Sequence, residues 1–179
     1  MGDNALSAAC LEGDLGEFRE IVDGHKAAVM ALAVNILGNL QDAEDACQET
    51  FIQVYRNLES YDPRKSFKNW IFTILYRRCL DQLRKQRRFQ SAFHRAKHEL
   101  PGHAPAKGVD PGKTKFFSQD VLARLSPRER AVLVLWANEG YTAAEISKVI
   151  PCSPSTARVY LFNARKKIKS YLEKSHAAL

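Results

Sequence analysis

Apolar residues recur along this chain with a helical period, and no stretch alternates as a half-buried strand would. Phe18, Ile21, Val22, Val29, Leu32, Ala33 and Ile36 fall on or near one stripe, which predicts a helix from about Leu15 to Leu37. Gly24 weakens it locally, and Gly38-Asn39 stops it. A stronger pattern follows. Ala43, Ala46, Cys47, Thr50, Phe51, Val54, Tyr55 and Leu58 recur at three- and four-residue steps, a sustained core face on a second helix opened by Asp42. Asp42, Glu44 and Asp45 in its first turn suit the positive end of the helix dipole. Ser60-Tyr61-Asp62-Pro63 breaks the period. Ser66 then caps a third helix, from Phe67 to about Arg88, densely apolar at its start and ending in Arg84, Lys85, Arg87 and Arg88.

From Phe89 to about Lys115 the pattern fades, and Pro101, Gly102, Pro105, Gly108, Pro111 and Gly112 mark a flexible linker. A stretch of that length without a period argues for a domain boundary. The expected organisation is therefore an N-terminal extension at 1–14, a helical domain at 15–88, a linker at 89–115 and a second helical domain at 116–179. The fold class is all-α. In the second domain patterning resumes at Phe116–Leu125. Ser126, Pro127 and Glu129 then form a helix start, and Ala131, Val132, Leu135 and Trp136 its apolar face. Asn138-Glu139-Gly140 ends that helix.

The run YTAAEISKVIPCSPSTARVYLFNARKK, Tyr141 to Lys167, reads as a helix, a tight break and a second helix. Thr142 and Glu145 form a capping box. Pro151 cannot continue the first helix, Ser153 caps the second, and Pro154 sits at its first position. This is a helix-turn-helix signature, whose second helix enters the major groove of DNA. Val159 with Phe162, and Leu161 with Ile168, are the pairs expected to face a core. Ser155, Thr156, Arg158, Tyr160 and Asn163 are left as DNA-facing candidates.

Charge sharpens this picture. The net charge is +7, but residues 1–62 carry −9, residues 63–100 carry +9 and residues 101–179 carry +7. An acidic front followed by two basic blocks suggests one protein-binding surface and two nucleic-acid contacts. Cys10, Cys47, Cys79 and Cys152 lack metal-ligand spacing and read as small buried hydrophobes in a reducing, cytoplasmic setting. His94, His98 and His103 cluster loosely, and neither a metal nor a cofactor is expected. No apolar run approaches the roughly 20 residues of a membrane span. There is no Gly-rich phosphate loop, no H-E-x-x-H and no catalytic carboxylate cluster, so an enzyme is not expected.

Taken together, the runs DAEDACQETFIQVYRNLESYDPRKSFKNWIFTILYRRCLDQLRKQRR and LSPRERAVLVLWANEGYTAAEISKVIPCSPSTARVYLFNARKKI resemble regions two and four of the extracytoplasmic-function (ECF) sigma factors, promoter-recognition subunits of bacterial RNA polymerase. The family pattern D-A-E-D-x-x-Q-E-x-F is present from Asp42 to Phe51. The alternative from another class is a free-standing helix-turn-helix regulator, which explains residues 116–172 and leaves the first domain unused.

The resemblance implies specific roles. Asp45, Gln48, Glu49, Ile52 and Gln53 would dock on core polymerase. Tyr61, Lys65, Ser66, Lys68, Asn69 and Trp70, with Arg77 and Arg78 further along, would capture the minus-ten element, aromatics stacking on bases and cations neutralising phosphates. Trp70 is equally readable as core. Ser155, Thr156, Arg158, Tyr160, Asn163 and Arg165 would meet the minus-thirty-five element, Arg158 being the leading base or phosphate contact. Val159, Tyr160 and Asn163 stand where polar or basic residues are common in the family, so a relative's DNA preference does not transfer. The partners implied are core RNA polymerase, promoter DNA and, as in many relatives, an anti-sigma factor.

Overall fold

A computed structural model describes residues 15–96 and 118–176. The described residues are helical throughout their regular structure. Helix α1 is Leu15–Leu37, α2 is Leu40–Arg56, a 3-10 turn spans Leu58–Ser60, and α3 is Phe67–Ala96. From residue 118 onward come the short α4 (Gln119–Leu122), then α5 (Pro127–Glu139), α6 (Ala143–Val149) and α7 (Pro154–His176).

The helix boundaries follow local chemistry. Gly38, at φ 82°, ends α1, its N–H donating to the Val34 carbonyl at 2.8 Å. Asn39, rather than Asp42, opens α2: its Oδ1 accepts from the Asp42 N–H at 2.7 Å. Asp42 is freed for another task. Its carboxylate accepts from Gln82 Nε2 at 2.8 Å and Gln86 Nε2 at 2.6 Å, tying the start of α2 to α3. Of the three acids expected in the first turn only Asp42 lies there. Ser126–Glu129 and Thr142–Glu145 both form the expected capping boxes, and Gly140 ends α5 at φ 69°. Ser153 caps α7, accepting from the Thr156 N–H at 3.1 Å. Helix α3 runs to Ala96, into the segment expected to be linker, because no Pro or Gly interrupts it before Pro101.

Helices α1, α2 and α3 pack on one another as a first unit, and α5, α6 and α7 as a second. Ile21, Leu32 and Ile36 of α1, Ala43, Phe51 and Val54 of α2, and Phe67, Ile71, Phe72 and Leu75 of α3 are buried together. Each such large side chain contributes about 2 kcal/mol by leaving water. The predicted core stripe of α2 is observed with one exception. Tyr55 is exposed and lies edge-on against Phe18, ring centroids 5.0 Å apart.

The two units do not stand apart. Helix α1 packs on α5, and α3 on α6. Ala131, Val132, Val134, Leu135, Ile146, Val149 and Ile150 of the second unit belong to the same continuous buried cluster as the first unit's core. Arg130 reinforces the seam: its guanidinium donates to the Ile36 carbonyl at 3.0 Å and to the Leu125 carbonyl at 3.1 Å. Ile36 lies in the last turn of α1, where carbonyls lack intrahelical partners and the dipole favours a cation.

Candidate nucleic-acid interface

The outward side of α2 is set by its inward one. With Ala43, Ala46, Cys47, Thr50, Phe51 and Val54 buried, Asp45, Gln48 and Glu49 face solvent and Ile52 is 43% exposed. Gln53 is half-buried, its Oε1 accepting from Arg78 Nε at 3.0 Å. Arg78 also pairs with Glu49 at 3.5 Å. Thus Arg78, expected among the minus-ten residues, stands beside the α2 face instead, in a shallow groove with Asp45, Glu49, Ile52, Asp81 and Lys85.

The minus-ten candidates divide into three kinds. Tyr61 is buried and is no open stacking face here. Its ring meets Phe67 edge-on at 4.9 Å and Trp70 at 5.1 Å, and its hydroxyl donates to the Lys65 carbonyl. The loop folds over this aromatic cluster because three rings bury more surface together than any would alone. Trp70 is half-buried in the same cluster, so both readings of it keep a physical basis. Lys65, Ser66 and Arg77 are exposed, Ser66 capping α3 through the Asn69 N–H at 3.3 Å.

Lys68 and Asn69 form the third kind, for the second unit holds them. Lys68 pairs with Glu139, whose side chain is 10% exposed. Asn69 Oδ1 accepts from the Tyr141 hydroxyl at 2.6 Å. Burial, with help from Glu139 and Glu145, pushes Tyr141 up to about 12, so its hydroxyl stays protonated and donates. Phe72 lies against the same tyrosine at 6.2 Å. One turn on, the Thr73 hydroxyl lies 3.4 Å from the Lys148 carbonyl.

Sequence reasoning did not single out Arg64 or the Glu139–Tyr141 clasp. Arg64 grips Asp62 with a two-pronged fork, 2.9 Å from Nε and 3.1 Å from Nη2, and these bonds hold the Asp62 carboxyl below its usual range. The D-P-R spacing was a usable signal for that pair. Nothing local signals the clasp, since Asn69 and Tyr141 meet only through tertiary packing.

On α7, Ala157 and Ala164 are buried against the second unit, with Leu161 and Ile168 partly buried beside them. Val159 and Phe162, expected to face a core, are exposed instead. Two small alanines fill the helix contact and turn those larger residues outward. Ser155 and Arg158 are exposed as expected. Thr156 is half-buried, its hydroxyl 2.8 Å from Ser153 Oγ. Tyr160 is half-buried and accepts from Arg128 at 3.0 Å, while Asn163 lines a groove beside Arg124 and Lys167. Arg165 stacks over Trp136 at 5.3 Å, so its cation is shared with an aromatic face. At the back of α7, Lys167 clamps buried Glu129 at 2.8 Å, joining α7 to α5.

Cys47 and Cys79 are buried, and burial pushes the Cys47 thiol up to about 12 and the Cys79 thiol higher still. Both behave as neutral small hydrophobes, as expected; Cys152 is half-buried and Cys10 lies outside the described residues. The loose group of His94, His98 and His103 also lies outside the described side chains. No described helix is long and apolar enough to cross a membrane.

Helical units of this kind, one presenting an acidic outward helix and the other a basic recognition helix, define a two-unit helix-turn-helix protein. Comparison with known proteins narrows the class. The description Sigma-70 region 2 matches residues 21–89, and Sigma-70, region 4 matches residues 119–168, together about two thirds of the chain. The chain is 32% identical over 161 residues to the ECF RNA polymerase sigma factor SigE of Mycolicibacterium smegmatis, covering 87% of this chain and 61% of that protein. It is 25% identical over 171 residues to the ECF RNA polymerase sigma factor SigW of Bacillus subtilis, covering 90% and 91%. In fold it is similar to the sigma factor RpoE of Bartonella quintana, solved in complex with the anti-sigma factor NepR: TM-score 0.72, 20% identity, 89% of this chain and 98% of that one. The chain belongs to the sigma-70 family and is an ECF sigma factor. A free-standing helix-turn-helix regulator is not favoured, because the first unit matches region 2 rather than standing idle.

Proposed function

We propose that this chain binds core RNA polymerase through the outward face of α2, centred on Asp45, Gln48, Glu49 and Ile52, and directs it to promoters carrying two separated elements. An exposed isoleucine among the carboxylates and amides of α2, with Arg78 and Lys85 at the groove's far side, suits a protein partner, which can meet both its apolar and its charged groups. Gln53 and Arg78 border that face and orient each other.

Promoter DNA meets both basic blocks. Lys65, Ser66, Lys68, Asn69, Trp70 and Arg77 hold the minus-ten strand, with Tyr61 and Phe67 buttressing Trp70 from beneath. Ser155 and Arg158, at the start of α7, meet the upstream duplex, where helix N–H groups and a guanidinium both favour phosphate or base edges. Arg165 and Lys166 track the backbone. The work is positioning and strand capture, with no bond chemistry of its own and no cofactor, and it takes place in the cytoplasm. An anti-sigma partner, of the general kind bound to the Bartonella protein, would silence the chain by covering these faces.

The observation that carries this reading is the pair of sigma-70 regions in order on one chain. The test mixes the purified chain with core polymerase and a promoter library and sequences the DNA upstream of each transcript. Enrichment of two spaced elements is expected; transcripts indifferent to the chain would refute it.

A further inference from the structure

Val159 is 55% exposed and Phe162 66%, although both are apolar. They stand at i, i+3 on α7, so they share one face, roughly one and a half to two turns from the helix start. Packing sets their direction, since Ala157 and Ala164 occupy the inward side at 1% and 0% exposure. Their surroundings are cationic. Arg158 precedes Val159, Lys166 follows Phe162 by one turn, and no acidic residue occurs from Pro154 to Lys169. An apolar pair whose charged neighbours along α7 are all cations suits a polyanionic surface that is itself locally apolar. The major groove offers that surface wherever a thymine presents its 5-methyl group.

We propose that Val159 and Phe162 read thymine 5-methyl groups in the upstream duplex element. The inference rests on α7 being the upstream recognition helix, and it names what that helix selects. Val159 has no donor or acceptor beyond its backbone, so it discriminates only by shape and by exclusion of water. Arg158, beside it, supplies the hydrogen bonds.

The experiment uses the full chain, alone at low salt and assembled with core polymerase, to select duplexes from a randomised DNA pool. Each thymine of the enriched upstream element is then replaced singly by deoxyuridine, which removes only the methyl group. At one or two positions this is expected to weaken binding about fourfold, the effect of one buried methyl. Val159→Ala or Phe162→Ala should abolish that thymine preference at its own position while helicity stays unchanged, as suits exposed side chains. An enriched element bound equally with thymine or deoxyuridine overturns the inference and leaves the promoter-recognition reading intact, as does a preference that survives both substitutions. Binding that enriches no sequence at all overturns both.

Discussion

On α3, Lys68 and Asn69 are bonded to Glu139 and Tyr141 of the second unit, whereas on α7 Ser155, Arg158 and Val159 are exposed among the described residues. The two basic blocks thus look equivalent in charge and are unequal in availability. A side chain already paired inside a protein must break that pair before it meets DNA, and each bond it gives up offsets part of what it gains. If the proposed roles hold, the downstream face is limited by how often the two units separate, and the upstream face is not. The apolar seam of α1 on α5 would make that separation costly.

The largest expected effect comes from removing that partner while sparing both DNA faces. Reversing Asp45 and Glu49 to Lys should weaken core polymerase binding about 100-fold, since like charges would meet across the interface. Upstream duplex binding by the free chain and the circular dichroism spectrum should not change. Undiminished polymerase binding removes this face from the account. Next, Arg158→Ala should cost about tenfold in upstream duplex affinity, the scale of one good base contact, and leave single-strand capture alone; the reverse outcome would exchange the roles of the two units. Loosening the clasp with Glu139→Gln and Tyr141→Phe together should tighten binding of a single-stranded oligonucleotide by the free chain about fivefold, with upstream binding unmoved. No gain there means the clasp does not restrain the downstream face.

The last effect is on stability and not on binding, and concerns the α5–α7 joint. Burial pushes the Glu129 carboxyl up, but its bonds with Lys167 and Ser126 outweigh burial and leave it below the usual carboxylate range. A carboxyl held low in the folded state adds stability above its unfolded value, near 4.5, and that stability is lost as pH falls through the lower folded value. Glu129→Gln should lower stability by about 1–2 kcal/mol at pH 7 and flatten the melting-temperature decline below about pH 4.5. An unchanged decline in the variant assigns the acid sensitivity elsewhere.

Most of the helices were legible because their determinants are local. The capping boxes at Ser126 and Thr142, the stop at Gly140 and the buried stripe of α2 each lie within a few residues of chain. The outward face of α2 was legible for the same reason, as the complement of its stripe. Tyr61, named through the family resemblance and not through a period, is covered by Phe67 and Trp70. Val159 and Phe162 were misplaced because a period locates a stripe but does not say which side the neighbours cover. Alanines at 157 and 164, small enough for close packing, decided it. Arg78 was assigned by its basic character, and its position depends on Glu49 and Gln53 across the helix pair. The Lys68–Glu139 and Asn69–Tyr141 contacts join residues some seventy positions apart. No pattern along the chain announces them.

One measurement tests the central claim most directly: hydroxyl-radical footprinting of a selected promoter with the free chain and, separately, with the chain assembled on core polymerase. The free chain is predicted to protect the upstream element alone. The assembled complex is predicted to protect both elements, with the minus-ten strands open. Equal protection of the downstream element by the free chain would contradict the clasp, and protection of neither element by the assembled complex would contradict promoter recognition itself.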